Sequence, residues 1–181
     1  VTPRLSLSYK PLWEKDMIFR FSSGMYYQSA FIKEMKNNTG SINPDIESQK
    51  SIHFVLGNDY NFKAWNRPFK FTTEVYYKYF FDLIPYKVDN VQTTYLGANK
   101  AKGYAYGLDM KINGEFVKGI ESWASLSLMQ TKENIEDDSY INSQNEIVYP
   151  GYYPRPTDQL VNFSLFFQDY LPRNPSYRML L

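Results

Sequence analysis

Cysteine is absent from this 181-residue chain, and histidine occurs once, as His53. Without thiols there is no disulfide scaffold, no CxxC redox pair and no cysteine-based zinc site. HExxH and GxSxG are both missing, so the single imidazole has no recognisable metal or triad motif around it. Charge excess is lacking as well: a net charge of +1 gives no reason to expect nucleic acid or an anionic surface as partner. No stretch approaches the ~18 apolar residues that a membrane helix requires. The opening residues Val1-Thr2-Pro3-Arg4 are not a signal peptide and lead straight into a strand pattern, so the native start is expected upstream.

What the chain has instead is aromatic side chains, 18% of the total, with 17 Tyr and 13 Phe. Rings and β-branched side chains suit a pleated surface, which points to strands rather than helices. Hydrophobic residues reach 43%, yet mean hydropathy is negative, so the apolar residues are interleaved with polar ones. Both a soluble core and a barrel with one face in lipid would read this way.

Period-2 alternation recurs along the chain. It predicts strands near 4–10, 17–28, 51–62, 69–81, 104–116, 122–132 and 159–169, with a further one starting at 177–181. Several of these runs exceed the usual 5–6 residues of a soluble strand and match the 9–11 that cross a bilayer on a tilt. One parity collects Phe19, Phe21, Phe54, Leu56, Phe71, Val75, Leu126, Leu128, Phe163 and Leu165, the expected lipid-facing set. The other carries Arg20, His53, Asp59, Lys70, Glu74, Lys78, Asp109 and Lys111, the expected lumen-facing set. Arg4 and Lys10 share that polar parity.

Connections alternate in length without exception. Short breaks at 11–16, 63–68, 117–121 and 170–176 are interleaved with long ones at 29–50, 82–103 and 133–158. An up-and-down outer-membrane barrel is built in this way, with tight periplasmic turns and long extracellular loops, and a Greek-key sandwich has no reason to be. Trp13, Trp65 and Trp123 all lie beside short breaks, while tyrosines such as Tyr76, Tyr77, Tyr79, Tyr104 and Tyr106 crowd the other strand ends. Amphipathic rings favour the membrane–water boundary, so these are read as two interface girdles. Alternation is common to soluble barrels, and girdles and loop asymmetry decide for the membrane. The expected fold is therefore all-β, an antiparallel up-and-down transmembrane β-barrel, with the whole of 1–181 in one barrel domain.

The segments RLSLSYKP…FRFSSGMYYQ, QKSIHFVLGNDYNF…RPFKFTTEVYYK and GYAYGLDMKINGEFVKGIESWASLSLMQTKE resemble the barrel of TonB-dependent outer-membrane receptors. The resemblance is to the branch that carries a carboxypeptidase-regulatory-like domain, and DQLVNFSLFFQDYLPRNPSYR looks like the stretch before the last strands there. It covers nearly the whole chain, most specifically 51–62 and 103–132. It implies a 22-stranded barrel, of which about 7–8 strands are present here as a fragment, an N-terminal plug and coupling to TonB through missing parts. Its further implications are an integral outer-membrane location in a Gram-negative bacterium, contact with outer-membrane lipid, surface lipoproteins or other envelope proteins as candidate partners, no cofactor and no enzymatic activity.

Asp59 and Glu74 on neighbouring strands form a conceivable acid/base pair, but Arg20, Lys70 and Lys78 on the same face favour a structural charge network. Glu133, Glu136, Asp137 and Asp138 form an acidic run without EF-hand spacing, read as a solvated loop rather than a cation site. Gly103, Gly107 and Gly114 along one strand allow curvature or the close approach of another backbone. Tyr86, Tyr95, Tyr140, Tyr149, Tyr152 and Tyr153 in the long loops offer ligand or partner contacts. The function expected is energy-coupled import, the barrel wall holding a plug and the loops capturing a ligand. The alternatives are a scaffold barrel in an envelope or secretion assembly, and a small ligand-binding soluble barrel.

Overall fold

A computed structural model describes residues 2–37, 40–171 and 174–180. Its described residues form an all-β structure whose main element is one antiparallel meander. In chain order the strands of the meander are β1 (Arg4–Tyr9), β2 (Asp16–Gln28), β3 (Gln49–Ala64), β4 (Arg67–Leu83), β7 (Ala101–Val117) and β8 (Ile120–Ile135). Short β11 (Tyr153–Pro154) and β12 (Val161–Phe166) then lie along the far edge of β8. Between β4 and β7 stands the separate hairpin β5 (Tyr86–Asp89) and β6 (Gln92–Tyr95), and between β8 and β11 the hairpin β9 (Tyr140–Ile141) and β10 (Ile147–Val148). A last hairpin joins β13 (Gln168–Leu171) to β14 (Asn174–Leu180). The main sheet is open: β1 stands at one edge and β11 with β12 at the other.

Two tight turns set the register. Ala64 pairs with Arg67 across Trp65 and Asn66, whose φ values of 50° and 58° are both left-handed. Such a two-residue turn matches the right-handed twist of the strands it joins. Val117 pairs with Ile120 across Lys118 and Gly119, the glycine having φ 77°. Both turns, with the short link 10–15, sit at one end of the sheet, and the long connections sit at the other.

From these turns the pairing runs Phe54↔Tyr77↔Tyr106 and Leu56↔Val75↔Leu108 on one face, and Glu74↔Asp109↔Ser127 on the other. Buried hydrophobic residues are few and include Phe69, Ala105, Ile120 and the pair Leu83–Ile84. Among the described residues there is accordingly no large apolar interior between two layers; the long strands β2, β3, β4, β7 and β8 share a single sheet.

The predicted strand over 159–169 divides at Phe167. The ladder with β8 ends where Phe166 meets Trp123, and the amide of Gln168, two residues on, donates to Ser122 Oγ at 3.1 Å. The strand predicted from 177 begins at Asn174, within the stretch 170–176 that was expected to be a link, and Leu181 lies outside the described residues. The long links 82–103 and 133–158 carry β5–β6, β9–β10 and β11 in addition to irregular chain.

Candidate functional site: the two faces of the sheet

The register separates the chain into two chemically distinct surfaces. Phe19, Phe21, Phe54, Leu56, Phe71, Val75, Leu126, Leu128, Phe163 and Leu165 all project from one face, because each pairs with another of this set or its parity mates. Large side chains on it stand open: Leu56 is 57% exposed, Val75 53% and Phe163 63%. Asn58 and Thr73 add small polar groups, and among the described residues ionic side chains of this parity occur only at strand ends: Lys50, Lys102 and Lys132 toward the long loops, and Arg67 at the short turn, where its guanidinium donates to Phe116 O at 2.6 Å. Burying such a surface is favourable by roughly 25 cal/mol per Å², so leaving it bare to water would be costly.

The opposite face gathers Arg20, His53, Asp59, Lys70, Glu74, Lys78, Asp109 and Lys111. Arg20 Nη2 reaches Asp59 Oδ1 at 3.2 Å and Glu74 Oε1 at 3.1 Å. Lys70 Nζ meets Asp59 Oδ2 at 3.3 Å, and Thr72 Oγ1 donates to Asp59 Oδ1 at 2.9 Å. Asp59 on β3 is thereby the shared acceptor of groups from the strands on either side, β2 and β4. Both carboxylates of the conceivable acid/base pair are held by one guanidinium, the arrangement of a structural charge network. Asp109 lies directly across from Glu74. Around this network β2, β3, β4, β7 and β8 line a shallow concavity of about 420 Å³.

His53 sits toward the long loops. Its ring stacks on Tyr26 with centroids 4.4 Å apart, and its Nε2 lies 3.0 Å from Ser51 Oγ. The ammonium of Lys78 stands 4.9 Å from the Tyr76 ring, and that of Lys111 stands 5.0 Å from Trp123. Tyr76 in turn covers Gly107: a Cβ there would meet Tyr76 Oη and Leu128 O, each at 2.5 Å. A Cβ on Gly114 would meet Phe69 Cδ1 at 2.5 Å. Within the sheet, then, the approach allowed by these glycines is taken by neighbouring rings as well as backbone.

Two readings of individual residues are corrected by the geometry. Trp123 pairs with Asn113, so it belongs to the charged face and stacks on Phe166 (6.1 Å) rather than joining a lipid-side girdle. Trp13 and Trp65 remain at the short-turn end, exposed, edge-on to Phe19 and Phe69. Glu133 is not in a solvated loop: it lies within β8, is only 2% exposed and receives Arg155 Nε at 3.1 Å. The acidic run is thus split, and among the described residues no cluster of three or more His, Asp or Glu is placed to hold a metal ion.

The loop tyrosines are partly ordered by one another. Tyr86 and Tyr95 face each other across β5–β6 at 5.7 Å, and Tyr152 packs on Tyr104 at 5.3 Å. Tyr153 pairs with Glu133 in β11. Its burial, aided by the carboxylates of Glu133 and Asp138, pushes its phenol up to about 12. The pairings that dock the loops, Glu133–Arg155 and the buried Glu34 near Phe31, carry no period in the sequence that would have revealed them.

No family model, no curated protein and no solved structure matches this chain. Its function is therefore argued from its own two faces.

Proposed function

We propose that the chain is a length of wall from an outer-membrane β-barrel, of the TonB-dependent receptor class, that takes up a ligand by energy-coupled rearrangement of a plug. One observation carries this reading: the uncharged, ring-rich face is exposed along the middle of the long strands, while the ionic side chains there point to the other face. Lipid tails are the environment that matches the first face, and a plug or a water-filled lumen matches the second.

Strand length supports the same reading. At about 3.3 Å per residue, the 17 residues of β4 reach well beyond the 9–11 needed for the hydrocarbon, leaving strand ends for the headgroup zone and beyond. Trp13 and Trp65 at the short-turn end and Tyr27, Tyr79 and Tyr104 toward the other end are placed for those zones. Plug and TonB-contacting segments would be contributed by other parts of such a receptor.

The test is membrane fractionation of the native protein, followed by crosslinking of the full-length receptor to TonB. The expected result is recovery in the outer membrane, release only by detergent, and a TonB adduct. A protein that stays in solution without detergent overturns the barrel, and an outer-membrane barrel without the adduct overturns the coupling.

A further inference from the structure

At the long-loop end of the charged face lies a second cavity, of about 510 Å³. Cavities of this size hold small solutes. Its walls come from the ends of β2, β3 and β4, from the loop 29–48 and from the β5–β6 hairpin. Phe80, Tyr86 and Tyr95 supply rings, and Leu83 is buried beneath them.

The charges in this wall are matched with two exceptions. Lys50 is held by Glu47 and Asp82, and Arg155 by Glu133. Lys78 forms no ion pair among the described residues; its ammonium lies 4.9 Å from the Tyr76 ring, and His53 is its partner across the strand pair. Glu34 is 7% exposed and likewise has no cation; its Oε2 accepts a hydrogen bond from the Phe31 amide at 2.9 Å. Withdrawing a carboxylate from water without a cation is unfavourable, and so is leaving a lysine half-buried without an acid. One cavity therefore presents one unmatched positive and one unmatched negative group beside aromatic rings.

We infer that this cavity binds a small zwitterion of the amino-acid or short-peptide class, its ammonium taken by Glu34, its carboxylate by Lys78 and its apolar body by the rings. A ligand with a single charge would leave the other group unmatched, and a neutral one would leave both. The inference rests on the barrel reading only in taking this end of the charged face as the outer mouth; the two unmatched charges are there regardless.

The experiment is calorimetric titration of the intact protein in detergent micelles with three probes: alanyl-phenylalanine with free termini, its N-acetyl derivative and its C-terminal amide. The free dipeptide should bind at least about tenfold more tightly than either blocked form, since a hydrogen-bonded charge contributes about that much or more. Glu34→Gln keeps the acceptor for the Phe31 amide and should abolish the penalty of N-acetylation alone. Lys78→Gln should abolish the penalty of amidation alone. Equal binding of the three probes, no binding, or the same response of both variants to both blocks overturns the inference. If the protein fractionates with the outer membrane and binding fails, only the cavity assignment falls. If it is soluble without detergent, the barrel reading falls, and the same titration in buffer still decides the cavity.

Discussion

The guanidinium of Arg20 on β2 lies 3.2 Å from the carboxylate of Asp59 on β3, in an ion pair whose acid side chain is 9% exposed and whose base is 43% exposed. Lys70 from β4 meets the other oxygen of the same carboxylate, so the pair is a node between three strands rather than an isolated bridge.

Replacing Asp59 should therefore cost more than replacing either cation. Asp59→Ala leaves Arg20 and Lys70 facing each other's charge and orphans the Thr72 hydroxyl. After discounting for the exposure of both bases, the expected loss is about 1–2 kcal/mol. Urea unfolding in micelles measures it, and a cycle with Arg20→Ala should give a coupling above about 0.5 kcal/mol. Strict additivity would show that the node is only a surface contact.

The two faces should respond oppositely to charge. Arg at Phe54 or Leu165, both on the uncharged face, should destabilise the folded protein in lipid by about 2–4 kcal/mol near the bilayer midplane. Arg at Ser125, on the charged face opposite Lys111, should be far milder. Refolding into vesicles over a urea series compares them, and equal effects would refute the assigned orientation.

Gly107 is kept small by Tyr76. Gly107→Ala should lose about 1–3 kcal/mol through overpacking. Adding Tyr76→Ala should make the alanine at 107 nearly harmless on its side-chain side, leaving only the contact with Leu128 O. If the second substitution brings no relief, the ring is not what fills the space.

Arg155 guards the buried Glu133. Arg155→Ala should loosen β11 by about 3 kcal/mol, because the carboxylate keeps its burial and loses its cation. Amide exchange should accelerate at Thr131, whose carbonyl accepts from the Arg155 amide and whose own amide donates to Asp158. Glu133→Gln in the same chain should restore part of that protection. Exchange unchanged in the single variant would mean the loop is held by other contacts.

Tyr153 supplies an alkaline signature. Its phenol titrates near 10.0 in the unfolded chain and about 12 in the fold, so the folded state favours the neutral ring. That contribution is fully present below pH 10 and is lost as pH rises through the folded value. Ultraviolet difference titration should show a late tyrosinate step that Tyr153→Phe removes; a late step that survives assigns it to another ring.

How much of this could be read from the amino acids follows from what each feature depends on. Strand bounds and faces depend on period 2, and a one-residue slip would have sent Phe54 and Asp59 to the wrong sides, so that pattern is strongly written. Runs such as 51–62 and 69–81 lie inside β3 and β4, which extend two residues further at each end. Trp123 was misplaced because proximity to a turn says nothing of parity; counting from Ser125, two residues on, assigns it to the charged face. Glu133, Arg155, Glu34 and Lys78 were not legible as partners or as unmatched groups. Their relations join loops to strands over long sequence separations, and no local periodicity encodes them.

Because each long strand hydrogen-bonds mainly to its neighbours in sequence, no strand of the meander has to wait for a remote segment. Local closure of this kind lowers the entropic barrier to assembly. The hairpins closed by Trp65–Asn66 and by Lys118–Gly119 are the most local of these pairings, to which the rest can be stitched one ribbon at a time.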